Sequence, residues 1–289
     1  MNEIISQRPF QPAAQEADIA ANPTQTAQTE HPAYRLAFQD KDFLLREELR
    51  PVRFQLELLK PELLLAEAGI DSTFVFYGSA RIPSPDEVEG LRAAAVGDQK
   101  RMAVVERLVE KARYYDEARR LAWLASCQPC KTDGGRDLVV CSGGGPSIME
   151  AANRGAAEAG APSLGLNIVL PHEQVPNAYV TPGLSFQFHY FALRKMHFLM
   201  RARAVAVFPG GFGTFDELFE LLTLVQTTKM APLPILLFGR DFWSRVVNFE
   251  ALAEEGVISP DDLKLFRFVE TADEAWRIVC AWTHDGVAV

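Results

Sequence analysis

The residues best suited to chemistry lie in the run Phe208-Pro209-Gly210-Gly211-Phe212-Gly213-Thr214-Phe215-Asp216-Glu217. Its glycines leave backbone N–H groups open to close approach, and the apolar positions that follow (Leu218, Leu221, Leu222) mark a helix opening there. Exposed N–H groups at a helix N-terminus make a seat for an anion such as phosphate. Thr214 suits the N-cap, and Glu217 three residues later gives capping-box spacing. One cap has no need of several glycines. Gly210, Gly211, Gly213 and Thr214 therefore read as a phosphate cradle that delivers the Glu217 carboxylate to a nucleotide. No Gly-Lys-Ser/Thr follows, which disfavours ATP-type phosphoryl transfer.

Two further turns have the same character. Cys141-Ser142-Gly143-Gly144-Gly145-Pro146-Ser147-Ile148-Met149-Glu150 holds three consecutive glycines, whose entropic cost implies a need for backbone freedom. Pro146 suits the first turn of a helix and Glu150 falls about one turn into it. Ile148 occupies the third-glycine position, so this is not the dinucleotide fingerprint. Phe76-Tyr77-Gly78-Ser79-Ala80-Arg81 places a small pair after a strand; alone it would be a plain tight turn. The helix around His189-Tyr190-Phe191-Ala192-Leu193-Arg194-Lys195-Met196-His197 carries adjacent cations about 100° apart, so one reaches a site while the other is solvated or paired. Arg194 is assigned the functional role, Lys195 is kept as a candidate substrate contact, and His189 and His197 are read as packing residues. With them stand Gly78, Ser79, Gly143, Gly144, Gly145 and Glu150 as candidate substrate- or phosphate-binding residues.

These residues need a scaffold that aligns strand ends. Short β-rich runs occur at Thr73–Tyr77, Leu138–Cys141, Ser163–Ile168, Ala204–Phe208, Pro234–Phe238 and Phe266–Val269. Helical stretches lie near 101–125, 146–160, 190–202, 214–228, 240–254 and 272–283. This alternation predicts an α/β, doubly wound and mostly parallel sheet, with ligands beyond the carboxyl ends of its strands. Residues 82–99, with two prolines and two glycines, read as a loop inserted after the first strand. The division expected is a disordered tail over 1–30, a leucine-rich helical lead-in over 31–70 broken at Pro51 and near Pro61, and a nucleotide-binding α/β domain over 71–289.

The chain has 289 residues, 48% hydrophobic, with formal net charge −9. Such a charge offers no general field for nucleic acid or an anionic membrane, so an anionic ligand must be held locally. No apolar stretch is long enough to span a bilayer and the first thirty residues lack a leader pattern, which predicts a cytoplasmic protein. Cys127 and Cys130 have CxxC spacing, yet Cys141 and Cys280 stand apart, so reduced structural thiols are expected rather than a metal site.

Taken in order, Gly78-Ser79-Ala80-Arg81, Gly143 to Asn153, Arg194-Lys195 and Pro209 to Glu217 resemble the Lonely Guy family, nucleoside 5′-monophosphate phosphoribohydrolases of which many were once labelled lysine decarboxylases. The resemblance runs from about residue 70 to 285. It implies a Rossmann-like domain, a homo-oligomer that is at least dimeric, no cofactor, and hydrolysis of AMP or a cytokinin riboside monophosphate to free base and ribose 5-phosphate. It also implies catalytic roles for Arg194 and Glu217. Ser147 stands where many members have Gly, and Asp216 where plant-type members have Glu. The main alternative is a non-catalytic nucleotide or molybdenum-cofactor carrier of the same fold. A lysine decarboxylase would require a Schiff-base lysine, and neither Lys195 nor Lys229 has a suitable context.

Overall fold

A computed structural model of the chain describes residues 11–128, 135–171 and 175–284. It separates into two compact units, Met1–Glu57 and Leu58–Val289. The first unit contains helices α1 (Ala13–Ala20), α2 (Ala27–Glu30) and α3 (Lys41–Leu44), and the start of α4 (Arg50–Glu67). Two of these helices fall in the stretch expected to be a disordered tail. Local caps start the short ones: Thr26 and Thr29 form a capping box on α2, and Asp40 accepts from Phe43 N at 3.1 Å on α3.

A boundary falls at Pro51, since α4 begins at Arg50, whereas the break expected near Pro61 does not occur. Pro51 sits in the first turn, where its missing N–H has no intrahelical partner to lose. Pro61 lies inside the helix and is buried, and α4 continues past it to Glu67. Tertiary anchoring on that side offsets the lost backbone bond: Glu62 accepts from Arg201 Nη2 at 2.9 Å.

The second unit is built on seven parallel strands in the order β4-β3-β2-β1-β5-β6-β7. In chain order the elements are β1 (Thr73–Tyr77), α5 (Val88–Ala95), α6 (Gln99–Val109), α7 (Arg113–Ser126), β2 (Val139–Ser142), α8 (Ile148–Glu158), β3 (Ser163–Ile168) and β4 (Ser185–Phe188). They continue with α9 (Phe191–Met200), β5 (Ala202–Val207), α10 (Phe212–Gln226), β6 (Ile235–Phe238), α11 (Arg240–Val246), α12 (Phe249–Glu254), β7 (Arg267–Val269) and α13 (Ala272–His284). Strands β1, β2 and β6 are buried along their whole length, as helices on both faces of a parallel sheet require. Phe76, Phe208 and Phe238 stack across the sheet centre, with Phe208 and Phe238 centroids 4.2 Å apart.

Three readings of the sequence are corrected here. The segment 82–99 is not a plain loop, because it contains α5. The single helix expected near 240–254 is two, with Asn248 accepting from Ala251 N at 3.0 Å to start α12. Strand β4 carried no signal: it has four residues, lies at the sheet edge, and alternates buried with more exposed positions. Among the described residues no helix is long and apolar enough to cross a membrane.

Strand order decides where a ligand can lie. From central β1 the chain winds outward through β2, β3 and β4, then returns to place β5 on the other side of β1. Order reverses between β1 and β5, the position at which doubly wound sheets place a ligand beyond the strand ends.

Candidate active site

β1 pairs with β2 on one side and β5 on the other, so three strand ends lie side by side. The three glycine turns follow those three strands. Ser79 N donates to the Pro209 carbonyl at 3.2 Å and Phe208 N to the Tyr77 carbonyl at 2.8 Å, which ties the first turn to the third. Turns remote in sequence become neighbours because parallel pairing brings their strands into register.

The second turn wraps one side chain closely. A Cβ on Gly143 would lie 2.6 Å from Arg194 Nη2, and Gly144, at φ +72°, would place one 2.6 Å from Asn167 Oδ1. Buried amides hold the turn. Ser142 Oγ accepts from Gly144 N at 3.0 Å and donates to Asn153 Oδ1 at 2.7 Å. Asn153 Nδ2 donates to Ser163 Oγ at 3.0 Å and to the Leu164 carbonyl at 3.1 Å. Asn177 Nδ2 donates to both Asn153 Oδ1 and the Gly145 carbonyl at 3.0 Å. Asn153 and Asn177 were missed as site-builders. Asn153 had a readable signal, an amide among Ala151, Ala152 and Ala156 on a buried helix face; Asn177 had none.

Pro146 lies before α8 rather than in its first turn, and Ser147 precedes the helix at φ 65°. That backbone favours glycine, the residue many Lonely Guy members carry there; here the Ser147 hydroxyl donates to the Ile82 carbonyl. Glu150, in the first turn of α8, accepts from the Tyr115 hydroxyl at 2.8 Å.

The third turn corrects the reading of Thr214. Helix α10 begins at Phe212, Gly211 is its N-cap, and Thr214 is a buried residue of the first turn. The helix starts three residues sooner than a Thr214 cap would place it, and Gly210 packs directly on the Thr214 side chain, where a Cβ would clash. Glu217 therefore has no capping role. Gly211 and Gly213, by contrast, would meet nothing within 4 Å if given a Cβ, so their backbone faces open space.

Arg194 of α9 and Glu217 of α10 meet at 3.4 Å, with side chains only 12% and 13% exposed. Arg194 Nε also donates to the Leu166 carbonyl at 2.7 Å, and its guanidinium lies 5.0 Å from the Phe198 ring centroid. Burial pushes the Glu217 carboxyl up to about 7, although the Arg194 charge works the other way. Burial likewise lowers Arg194, against the pull of Glu217. A single contact at 3.4 Å does not outweigh the desolvation of both groups. The result is a carboxyl poised to exchange protons near neutrality, beside a fixed cation.

Lys195 points elsewhere, at 3.1 Å from Asp216 and 3.2 Å from Glu220. Partial burial opposes its charge, but hydrogen bonds to those two carboxylates raise it overall. Asp216 is 58% exposed, so the departure from plant-type Glu lies on the outer side of α10. Cys141 lies buried near the pair, and burial raises its thiol, which opposes thiolate formation. Cys127 is exposed and Cys280 partly buried; Cys130 lies outside the described residues. Among the described residues no three His, Cys, Asp or Glu side chains gather as metal ligands would.

Residues 149–279 match a family described as "Possible lysine decarboxylase", a span that includes Arg194 and Glu217. No curated protein matches the chain. Similar solved structures include the molybdenum-cofactor carrier protein of Chlamydomonas reinhardtii, at 16% identity and TM-score 0.44, covering 74% of this chain and 99% of that one. The protein TM1055 is another, at 20% identity and TM-score 0.41, covering 72% and 98%. The matched span, residues 149–279, is similar to that family and takes in the Arg194-Lys195 and Pro209 to Glu217 motifs through which the chain resembles the Lonely Guy family.

Proposed function

We propose that this protein hydrolyses the N-glycosidic bond of nucleoside 5′-monophosphates, releasing the free base and ribose 5-phosphate. The observation that carries the reading is the buried Arg194–Glu217 pair at the switch point, with the Glu217 carboxyl near 7. The 5′-phosphate lies on the N–H groups at the start of α10, where Gly211 and Gly213 leave the backbone open. The bond from the anomeric carbon to the base nitrogen breaks, a bond to water oxygen forms, and the departing base gains the proton that water loses. Positive charge grows on the ribose as the base leaves. Ionised Glu217 stabilises that charge and takes the water proton. Arg194, steadied by the Leu166 carbonyl and the Phe198 ring, orients the substrate and keeps a fraction of Glu217 ionised.

The decarboxylase label has no support in this geometry. Lys195 is held as an ammonium by Asp216 and Glu220, the opposite of what Schiff-base formation needs, and Lys229 is exposed in the turn after α10.

Purified protein incubated with AMP is expected to release adenine and ribose 5-phosphate in equal amounts. A panel of purine, pyrimidine and cytokinin monophosphates ranks the substrates. Tight binding with no base released from any of them would replace the hydrolase by a carrier.

A further inference from the structure

Next to the first and second turns lies a cavity of about 380 Å³. The segment inserted between β1 and α7 supplies apolar walls, Ile82, Leu91 and Leu108, while Tyr115 and Glu150 make it polar at one side. Tyr115 donates its hydroxyl to Glu150 Oε1 at 2.8 Å, and Arg154 hydrogen-bonds the same phenol, which commits its proton to the carboxylate. That bond engages Oε1 of Glu150, which lines the cavity. Glu87 also lines the cavity, and its Oε2 accepts from Ser84 N at 2.8 Å and Ser84 Oγ at 2.9 Å, which ties that carboxylate to the cap of its own turn.

Charge sets the direction in which a nucleotide lies. The cavity is lined by two carboxylates, Glu87 and Glu150, against one cation, Arg81, so its charge does not favour a phosphate dianion, whereas the N-terminus of α10, with Gly211 and Gly213 open, does. The turns after β5 and β2 are two strand spacings apart, about 10 Å, roughly the phosphate-to-base length of a nucleoside monophosphate. Apolar walls suit the faces of a base and a polar side suits its edge.

We infer that the cavity receives the base, and that Glu150, oriented by Tyr115, selects bases with an amino group on the ring edge over their oxo counterparts. An amino group donates to the carboxylate, whereas the carbonyl of an oxo base sets two acceptors against each other and leaves the neighbouring ring N–H, displaced along the edge, as the donor on that side. This inference rests on the hydrolase reading.

The test compares kcat/KM for AMP against IMP and CMP against UMP, pairs that differ by an amino-to-oxo exchange. Ribose 5-phosphate, which lacks a base, serves as an inhibitor probe of the other end of the site. The wild type is expected to favour each amino partner by at least about tenfold. Glu150→Gln reduces the preference to within about threefold, since an amide both donates and accepts. Leu108→Trp fills the cavity and raises KM for every nucleotide. In both variants inhibition by ribose 5-phosphate stays at the wild-type value, which also reports an intact fold. An unchanged amino preference in Glu150→Gln, or equal loss of nucleotide and ribose 5-phosphate affinity in Leu108→Trp, overturns the inference and leaves the hydrolase standing. No base released from any substrate by the wild type removes both.

Discussion

Glu217 is pulled two ways, by burial toward the neutral acid and by Arg194 toward the carboxylate. A group balanced near 7 serves as a base only when ionised. The rate limb it controls should therefore rise with pH and level off above about 7, in kcat/KM measured across that range. Glu217→Gln keeps the side-chain shape and loses the proton acceptor. We expect turnover to fall by about 10²- to 10⁴-fold, the pH limb to vanish, and AMP binding by calorimetry to change little. Wild-type turnover in that variant would remove Glu217 from the chemistry. Arg194→Ala removes the bond to Leu166 as well as the cation, so KM should rise and kcat fall together. Unchanged kinetics would reduce Arg194 to a structural residue. Both were legible as residue types. Their meeting at 3.4 Å was not, because α9 and α10 are separated by β5 and nothing local fixes how two helices face each other.

Elements carry the site through the second turn, which depends on two kinds of neighbour. Gly143 is confined by the flexible ends of Arg194 and Met149, so Gly143→Ala should shift the guanidinium rather than unfold the protein. The expected readout is at least about a tenfold loss of kcat/KM with a melting temperature close to wild type. Asn153 is fully buried and bonded to Ser142, Ser163, Leu164 and Asn177. Asn153→Ala leaves several of those groups unsatisfied and should cost about 2–4 kcal/mol in denaturant unfolding. A loss below about 1 kcal/mol would show that the turn does not depend on the amide network. The three glycine turns stood out in the sequence by composition. Thr214 was misplaced as a cap because the pattern shows where a helix exists more sharply than where its first turn begins.

Linkage expresses the same carboxyl at the scale of the whole molecule. The folded protein holds the Glu217 proton up to about 7, whereas the ordinary value is 4.5. Its folded-state pKa is raised, so the folded form binds more protons than the unfolded chain between those values. Its contribution to stability is therefore full below about 4.5 and falls as pH rises through about 7, by an amount on the order of 3 kcal/mol. Chemical unfolding of wild type and Glu217→Gln across pH 4 to 8 checks this. The wild type should show the declining slope and the variant should lack that component; identical slopes would mean that burial does not shift the group. Net charge −9 leaves anion binding to local features, and the open N-terminus of α10 is such a feature.

Sequence alone determined the strand–helix alternation, the parallel α/β class and the three glycine turns. Each follows from local pattern: apolar runs of strand length, helical periodicity and residues with unusual backbone freedom. It also nominated Arg194 and Glu217, since their types and neighbours differ from a solvated surface. Only tertiary structure decided that β1 sits between β2 and β5, that the turns therefore meet, and that Arg194 meets Glu217 while Lys195 is taken by Asp216 and Glu220. It alone raised Glu217 and separated it from helix capping. The physical reason is that strand order, burial and the facing of helices arise from long-range packing, which has no local signature in the chain.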